Sequence, residues 1–327
     1  MEPERSKTST VWKRARAIGP WVVGAALLAY VVSRLELDAF VEVVSGVNYP
    51  AYLAFVVVFN LTVLSLDSLA TTMVYRRMIG PVRFGHVLLL RGASYAPSLV
   101  NHHLGQAWMT YSLARRSETA MRITTAATLI VYGTTLAALL VFGCLALVIE
   151  PGRFPWLLTS VLVVGGCGVV YMVIVRWPPR VIAQIRFLQP MLAIGIRGHV
   201  ALLGSRLPHV GALFFGIWLA FRFFSVDIPF AEALALIPPL LVVLALPITP
   251  AGVGTRDALS LTLFAGFAAG GTVAEQQAAV AAATLSWAVA GSLTQIVLSV
   301  LSMRWLEQLD LRFRDPDQLE STPDEQV

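Results

Sequence analysis

Two apolar stretches, one in each half of the 327-residue chain, are interrupted by a polar turn that carries glycine. The first reads Pro97-Ser98-Leu99-Val100-Asn101-His102-His103-Leu104-Gly105-Gln106. The second reads Pro247-Ile248-Thr249-Pro250-Ala251-Gly252-Val253-Gly254-Thr255-Arg256-Asp257. Inside a bilayer no water is available to bond free backbone groups, so an unwound segment at that depth must lie within protein or line a wet cavity. Interrupted helices at corresponding places in two halves mark the binding site in many transporter folds. The pair therefore points to a membrane-embedded site built on two broken helices.

The rest of the chain supports a membrane fold. With 57% hydrophobic residues, 13% charged residues and a mean hydropathy of +0.73, an ordinary soluble domain is excluded. Apolar runs of spanning length predict an all-α polytopic protein with about six spanning helices, near 17–33, 50–75, 120–149, 156–176, 208–225 and 275–303. Segments 84–114 and 230–271 are divided into pieces too short to cross comfortably and read as re-entrant broken-helix hairpins. The alternative, that 230–247 and 257–271 each cross as short tilted spans, leaves the parity unchanged. A basic amino terminus (1–16) precedes the transmembrane domain (17–303), which divides into repeats at about 17–149 and 156–303. The run 17–33 looks like a signal peptide at first, but Arg34-Leu35-Glu36 stands where a small-residue cleavage site belongs, so an uncleaved first helix is expected. Residues 178–200 place Val181, Ile182, Ile185, Leu188 and Leu192 largely on one helical face among Arg180, Arg186 and Arg197, as in an interfacial helix. A loose connector is the plainer reading of that segment. The polar, acidic tail 304–327 is expected to be disordered.

Charge sets the orientation. Arg5, Lys7, Lys13, Arg14 and Arg16 flank the first run. Arg76, Arg77, Arg83, Arg91, Arg115, Arg116 and Arg122 follow the second, Arg176, Arg180, Arg186, Arg197 and Arg206 follow the fourth, and Arg304, Arg312 and Arg314 follow the last. These fall on one side of the topology, leaving Arg34, Arg153, Arg222 and Arg256 out of 24 basic residues, so that side is cytoplasmic and both termini lie inside the cell membrane. Basic residues spread between apolar runs also explain the pI near 9.5 without a nucleic-acid partner. In this topology the second half is the first turned upside down, with hairpin one entering from the cytoplasm and hairpin two from outside. Cys144 and Cys167 lie inside apolar runs and read as small core residues, not as a disulfide or a zinc site.

The candidate site residues cluster at the two breaks. Arg256 and Asp257 follow a glycine turn at the start of a half-helix, where free N–H groups and the positive dipole end favour a phosphate, and Arg256 adds a bidentate donor. The same pair also reads as a structural cap. Thr249, Pro250, Gly252 and Gly254 shape that turn. Asn101, His102, His103 and Gln106 occupy the other tip, for headgroup hydrogen bonding, proton exchange or simple satisfaction of broken backbone. Neighbouring histidines point apart on a helix and no Asp, Glu or Cys follows at ligand spacing, so no metal or cofactor is expected. Asp67 stands in an otherwise apolar run, where a carboxylate is costly unless paired or protonated, with Arg91 or Arg256 as its expected partner. Asn60, Gln295 and Trp287 are cavity candidates, with interhelical hydrogen bonding the blander account of the two amides.

The second break resembles the Leu-Pro-x-x-Pro-Gly-Gly-x-Gly-x-Arg-Glu stretch of the lysylphosphatidylglycerol synthase transmembrane (flippase-like) family. Ala251 replaces its first glycine and Asp257 its glutamate. The first break is similar in place to that family's Leu-Pro-Gly-x-x-Gly-Glu-x-x-Arg stretch, but has Asn101-His102-His103 for Pro-Gly, Gln106 for the glutamate and Met109 for the arginine. The likeness in layout covers about residues 15–305. It implies a protein that translocates lipids between leaflets, with an anionic phospholipid or a polyprenyl-type lipid as substrate. The aminoacyltransferase domain that the best-known members fuse to this module has no counterpart of that size here, so no enzymatic activity is expected. Three functions stay open at this point. The first is a lipid translocator that binds an anionic headgroup between the hairpins. The others are a proton-coupled transporter of a small soluble anion, and a non-transporting scaffold for a cytoplasmic enzyme. A lateral opening, a closed wet vestibule and a dry midplane would distinguish them.

Overall fold

The structure, a computed structural model, describes residues 22–312 apart from 28, 32, 34–35, 246–248 and 250–253. Among these the chain is helical, with one isolated antiparallel bridge between Val226 and Ala268. The described residues between 22 and 33 are helical, and a short helix α1 (Leu37–Gly46) follows. Helix α2 (Tyr49–Met78) starts where the Asn48 side chain accepts the Ala51 N–H at 3.2 Å, with Pro50 in its first turn, and ends on Arg76 and Arg77.

The first broken segment comprises α3 (Phe84–Ala93), α4 (Tyr95–Val100) and α5 (His102–Arg116). Two long helices come next, α6 (Met121–Ile149) and α7 (Pro155–Arg176). Short turns α8 (Arg180–Ala183) and α9 (Gln189–Ala193) then lead into α10 (Gly195–Arg222). The second broken segment is α11 (Phe230–Ala245) and α12 (Thr255–Phe264), closed by a 3₁₀ turn Ala265–Phe267. Helix α13 (Val273–Arg312) ends the described chain. A reciprocal box starts it, since Glu275 N–H donates to Thr272 Oγ1 at 3.2 Å while Glu275 Oε2 accepts from Thr272 N–H at 3.3 Å.

Among the described residues five helices are long and apolar enough to cross a bilayer: α2, α6, α7, α10 and α13. The chain is a multi-pass membrane protein. Only 6% of the α7 span is buried, which puts this helix at the periphery with its Leu, Val and Ile side chains facing outward. Lipid takes the place of a core for such residues. Cys144 and Cys167 are exposed for this reason, and the expectation that they are core residues is wrong.

The packing exchanges partners between the two halves. Helix α3 lies on α13, and α11 lies on α6. The second legs, α5 and α12, pack on the long helices that follow them, α6 and α13, while α2 and α10 pack on each other. Two cores result. One gathers Tyr52, Val56, Phe214, Phe221, Leu240 and Ala282 around the second broken segment. The other gathers Val74, Val87, Met109, Ile130 and Leu202 around the first. Helix α2 feeds both, and Val56 and Val74 lie about 27 Å apart along it.

Three expected boundaries shift. Helix α10 begins at Gly195 and runs through Pro208, so the helix expected at 208–225 is longer and its first half is not a cytoplasmic loop. The interfacial helix expected over 178–200 is instead two short turns and the start of α10. Residues 304–312, expected in a disordered tail, continue α13, and Leu306 is buried in the second core.

Candidate functional site

Two polar groups of residues interrupt the apolar interior, and both touch α2. The first lies at the start of α12. Gly254 takes φ +81, a left-handed conformation that a side chain would strain, and this turns the chain into the helix. Its N–H donates to Asp257 Oδ2 at 2.9 Å, so Asp257, fully buried, caps the helix. The other oxygen, Asp257 Oδ1, stands 3.4 Å from Nε and from Nη2 of Arg256. Of the two readings of this pair, Asp257 takes the capping one. Thr249 and Thr255 hydroxyls meet at 2.9 Å across the turn. Pro250 and Gly252 lie outside the described residues.

Arg256 borders a cavity of about 60 Å³, room for a few water molecules. Its walls are mostly apolar, including Phe221, Leu240, Leu244 and Trp287, and Ser260 and Thr284 are the other polar lining residues. The Ser260 hydroxyl is buried without a hydrogen-bond partner. So is the hydroxyl of Tyr52, which lies within the electrostatic reach of Arg256. An arginine whose contacts among the described residues are long ones to its neighbour, beside two unpaired hydroxyls at a helix start, can accept an oxyanion.

The second group surrounds Asp67. Arg91 Nε approaches Asp67 Oδ2 at 2.5 Å, as one of the two expected pairings requires. Arg256, the other expected partner, is paired instead with Asp257. The remaining Asp67 oxygen is taken by Arg206 Nη1, while Arg206 Nη2 donates to Thr71 Oγ1 at 3.1 Å. His209 Nε2 stands 3.9 Å from the same carboxylate oxygen. The sequence reading missed Arg206 and His209. Arg206 sits four arginines into a basic segment and two residues before a proline, which together look like a loop. The available signal was spacing, because Arg206, His209 and Phe214 fall near one face of a continuous helix.

Asn60 and Gln295 occupy a position between these groups along α2. Gln295 Nε2 donates to Asn60 Oδ1 at 3.4 Å, the interhelical bond expected of them. Trp287 lines the Arg256 cavity.

The first break forms a third, smaller cluster. Asn101 is extended (φ −158, ψ 127), and its side chain accepts the His103 N–H at 2.8 Å, capping α5. His103 Nδ1 is 3.3 Å from the Tyr132 hydroxyl, and the His102 ring stands edge-on to His103 and Tyr132. Gln106 is buried one turn further along. Among the described residues no hydrogen bond or ion pair joins Asn101, His102, His103 or Gln106 to Thr249, Gly254, Arg256 or Asp257.

Comparison with known proteins gives one result. The family model for the lysylphosphatidylglycerol synthase transmembrane region matches residues 17–290. No curated protein matches the chain.

Proposed function

The chain belongs to the lysylphosphatidylglycerol synthase transmembrane family, and from that premise we propose that it moves an anionic lipid between leaflets, with Arg256 receiving the headgroup. One observation carries the reading: a guanidinium at a helix start borders a cavity whose other walls are mostly apolar. That combination suits an amphiphile, whose charged head and chain need both surfaces, better than a hydrated small ion. The exchanged packing of the broken segments supports two inverted repeats, because α3 on α13 and α11 on α6 are the same contact made in both directions. Re-entrant hairpins in such repeats meet the substrate near the midplane while one half rocks against the other. On this reading the cavity is a contracted form that rocking widens. The chain acts as a translocator in the cell membrane and not as an enzyme.

The test is leaflet exchange by the purified protein in liposomes that contain labelled anionic and zwitterionic lipids. Exchange of the anionic lipid should exceed that of protein-free liposomes and fall roughly tenfold or more in Arg256→Ala, the loss of one charged hydrogen-bonding group. No exchange, with or without an imposed pH gradient, would overturn the reading.

A further inference from the structure

The charge balance around Asp67 does not close. Two guanidinium groups, Arg91 and Arg206, share one carboxylate, and both are in the protein interior. Uncompensated charge at that depth is costly, and a buried pair stabilises only when the remaining donors are also satisfied. Here they are not. Arg91 Nη1 and Arg206 Nε are buried without a hydrogen-bond partner. Two orphan guanidinium nitrogens, one on each arginine, in a cluster with one positive charge in excess describe a site for an anion.

The two arginines are not equivalent. Arg206 is 1% exposed and is held by both Asp67 and Thr71, whereas the Arg91 side chain is 13% exposed. Arg91 belongs to α3, in the first broken segment, and Arg206 to α10. Its guanidinium carbon lies 5.9 Å from the centre of the Tyr95 ring, and His102 and Tyr132 are near enough to feel its charge. An anion therefore meets Arg91 first.

We propose that the Asp67–Arg91–Arg206 cluster is an oxyanion site of its own, where a phosphate-class ligand pairs with Arg91 and leaves Asp67 to Arg206. Exchange of partners turns a cluster with one excess positive charge into two balanced pairs, ligand with Arg91 and Asp67 with Arg206. A guanidinium suits a phosphate because two of its N–H groups match two of the oxygens. The site lies in the other half of α2 from the Arg256 cavity. Asp67 is fifteen residues beyond Tyr52, about 22 Å along the helix. It does not depend on the Arg256 reading. The phosphate could belong to a lipid headgroup or be free in solution.

The test uses the full chain in nanodiscs of zwitterionic lipid, in an Arg256→Ala background that silences the cavity. Two probes are titrated calorimetrically: inorganic phosphate, and a water-soluble short-chain phosphatidylglycerol. The affinity should follow the charge of the cluster. Asp67→Asn should bind about tenfold tighter than the parent and Arg91→Gln about tenfold weaker, a step of one charged hydrogen bond each way. Binding of phosphatidylglycerol alone assigns the site to a lipid diester, and binding of both probes assigns it to phosphate in general. A purely structural ion pair predicts no binding of either probe by the parent, and weaker or unchanged binding in Asp67→Asn would overturn the proposal. Should Asp67→Asn fail to fold, Arg91→Gln decides, because it leaves Asp67 and Arg206 as a balanced pair. Unchanged affinity in Arg91→Gln, or no binding of either probe by the parent, would also overturn it.

Discussion

Asn101 is the residue at which the first broken helix changes direction. Its extended backbone ends α4, and its side chain accepts the His103 N–H that α5 leaves free, so one residue both stops one helix and starts the next. Replacing it with alanine should cost about 1 kcal/mol, the usual worth of an N-cap. Thermal unfolding of the purified protein in detergent checks this, with a lower midpoint expected for Asn101→Ala and most of the loss restored by Asn101→Asp. An unchanged midpoint would mean that water or lipid caps α5 equally well. Buried charges at other positions follow a different rule. Asp257 caps α12 through one oxygen, and among the described residues Arg256 makes only 3.4 Å contacts to the other. Asp67 is shared between two arginines, and there the surplus belongs to the cation.

At the scale of elements, the first broken segment depends on close approach. Gly105 in α5 faces α4 and the kink before it, where an added Cβ would stand 2.6 Å from the Ser94 carbonyl oxygen and 1.8 Å from the Ser98 hydroxyl. A carbonyl of the backbone cannot turn aside as a side chain can. Gly105→Ala should therefore push α5 off α4, lowering the unfolding midpoint and reducing leaflet exchange together, whereas Gly133→Ala, with nothing within 4 Å, should leave both unchanged. Equal behaviour of the two variants would show that the contact is not tight. Ser299 of α13 holds the same kink, donating to the Ala93 carbonyl at 2.9 Å and accepting from the Ala96 N–H at 3.3 Å. This explains what was legible in the sequence. Both breaks were visible, because a polar glycine-bearing turn inside an apolar run has no other use at membrane depth. Arg256 and Asp67 were visible as charges in apolar surroundings. The kink at Ser94 was not, since it is set by a hydroxyl two hundred residues away. Neither was the start of α10, because a helix that carries Arg197, His199, Arg206 and Pro208 has the composition of a loop until its partner Asp67 is known. Apolar runs also cannot tell a lipid-facing side from a core-facing one, and Cys144 and Cys167 were misplaced for that reason.

For the molecule as a whole, the two broken segments sit in separate cores that share α2 and α13. Each segment rests on a long helix of the other half, so moving one half against the other displaces both segments at once. The two arginine sites then divide the path. Arg91 belongs to the core with Val74 and Met109, and Arg256 to the core with Tyr52 and Phe221. Orientation decides which site meets which leaflet. Positive charge at the ends of α2 and α13 and in the segment after α7 is expected to lie in the cytoplasm, and moving Arg91 and Arg206 into the interior leaves that expected bias in place. Cysteine labelling tests the orientation across α10, using Arg186→Cys before it and Asp227→Cys after it, in a background without Cys144 and Cys167. Both positions are exposed. An impermeant maleimide added to intact cells should label Asp227→Cys at once and Arg186→Cys only after permeabilisation. The reverse pattern would put Arg256 on the cytoplasmic side and Arg91 on the outer side, so that a lipid leaving the inner leaflet would meet the cavity first. Labelling of both positions from outside would break the parity of the spanning helices, and the exchanged packing could then no longer be read as two halves inverted across the membrane.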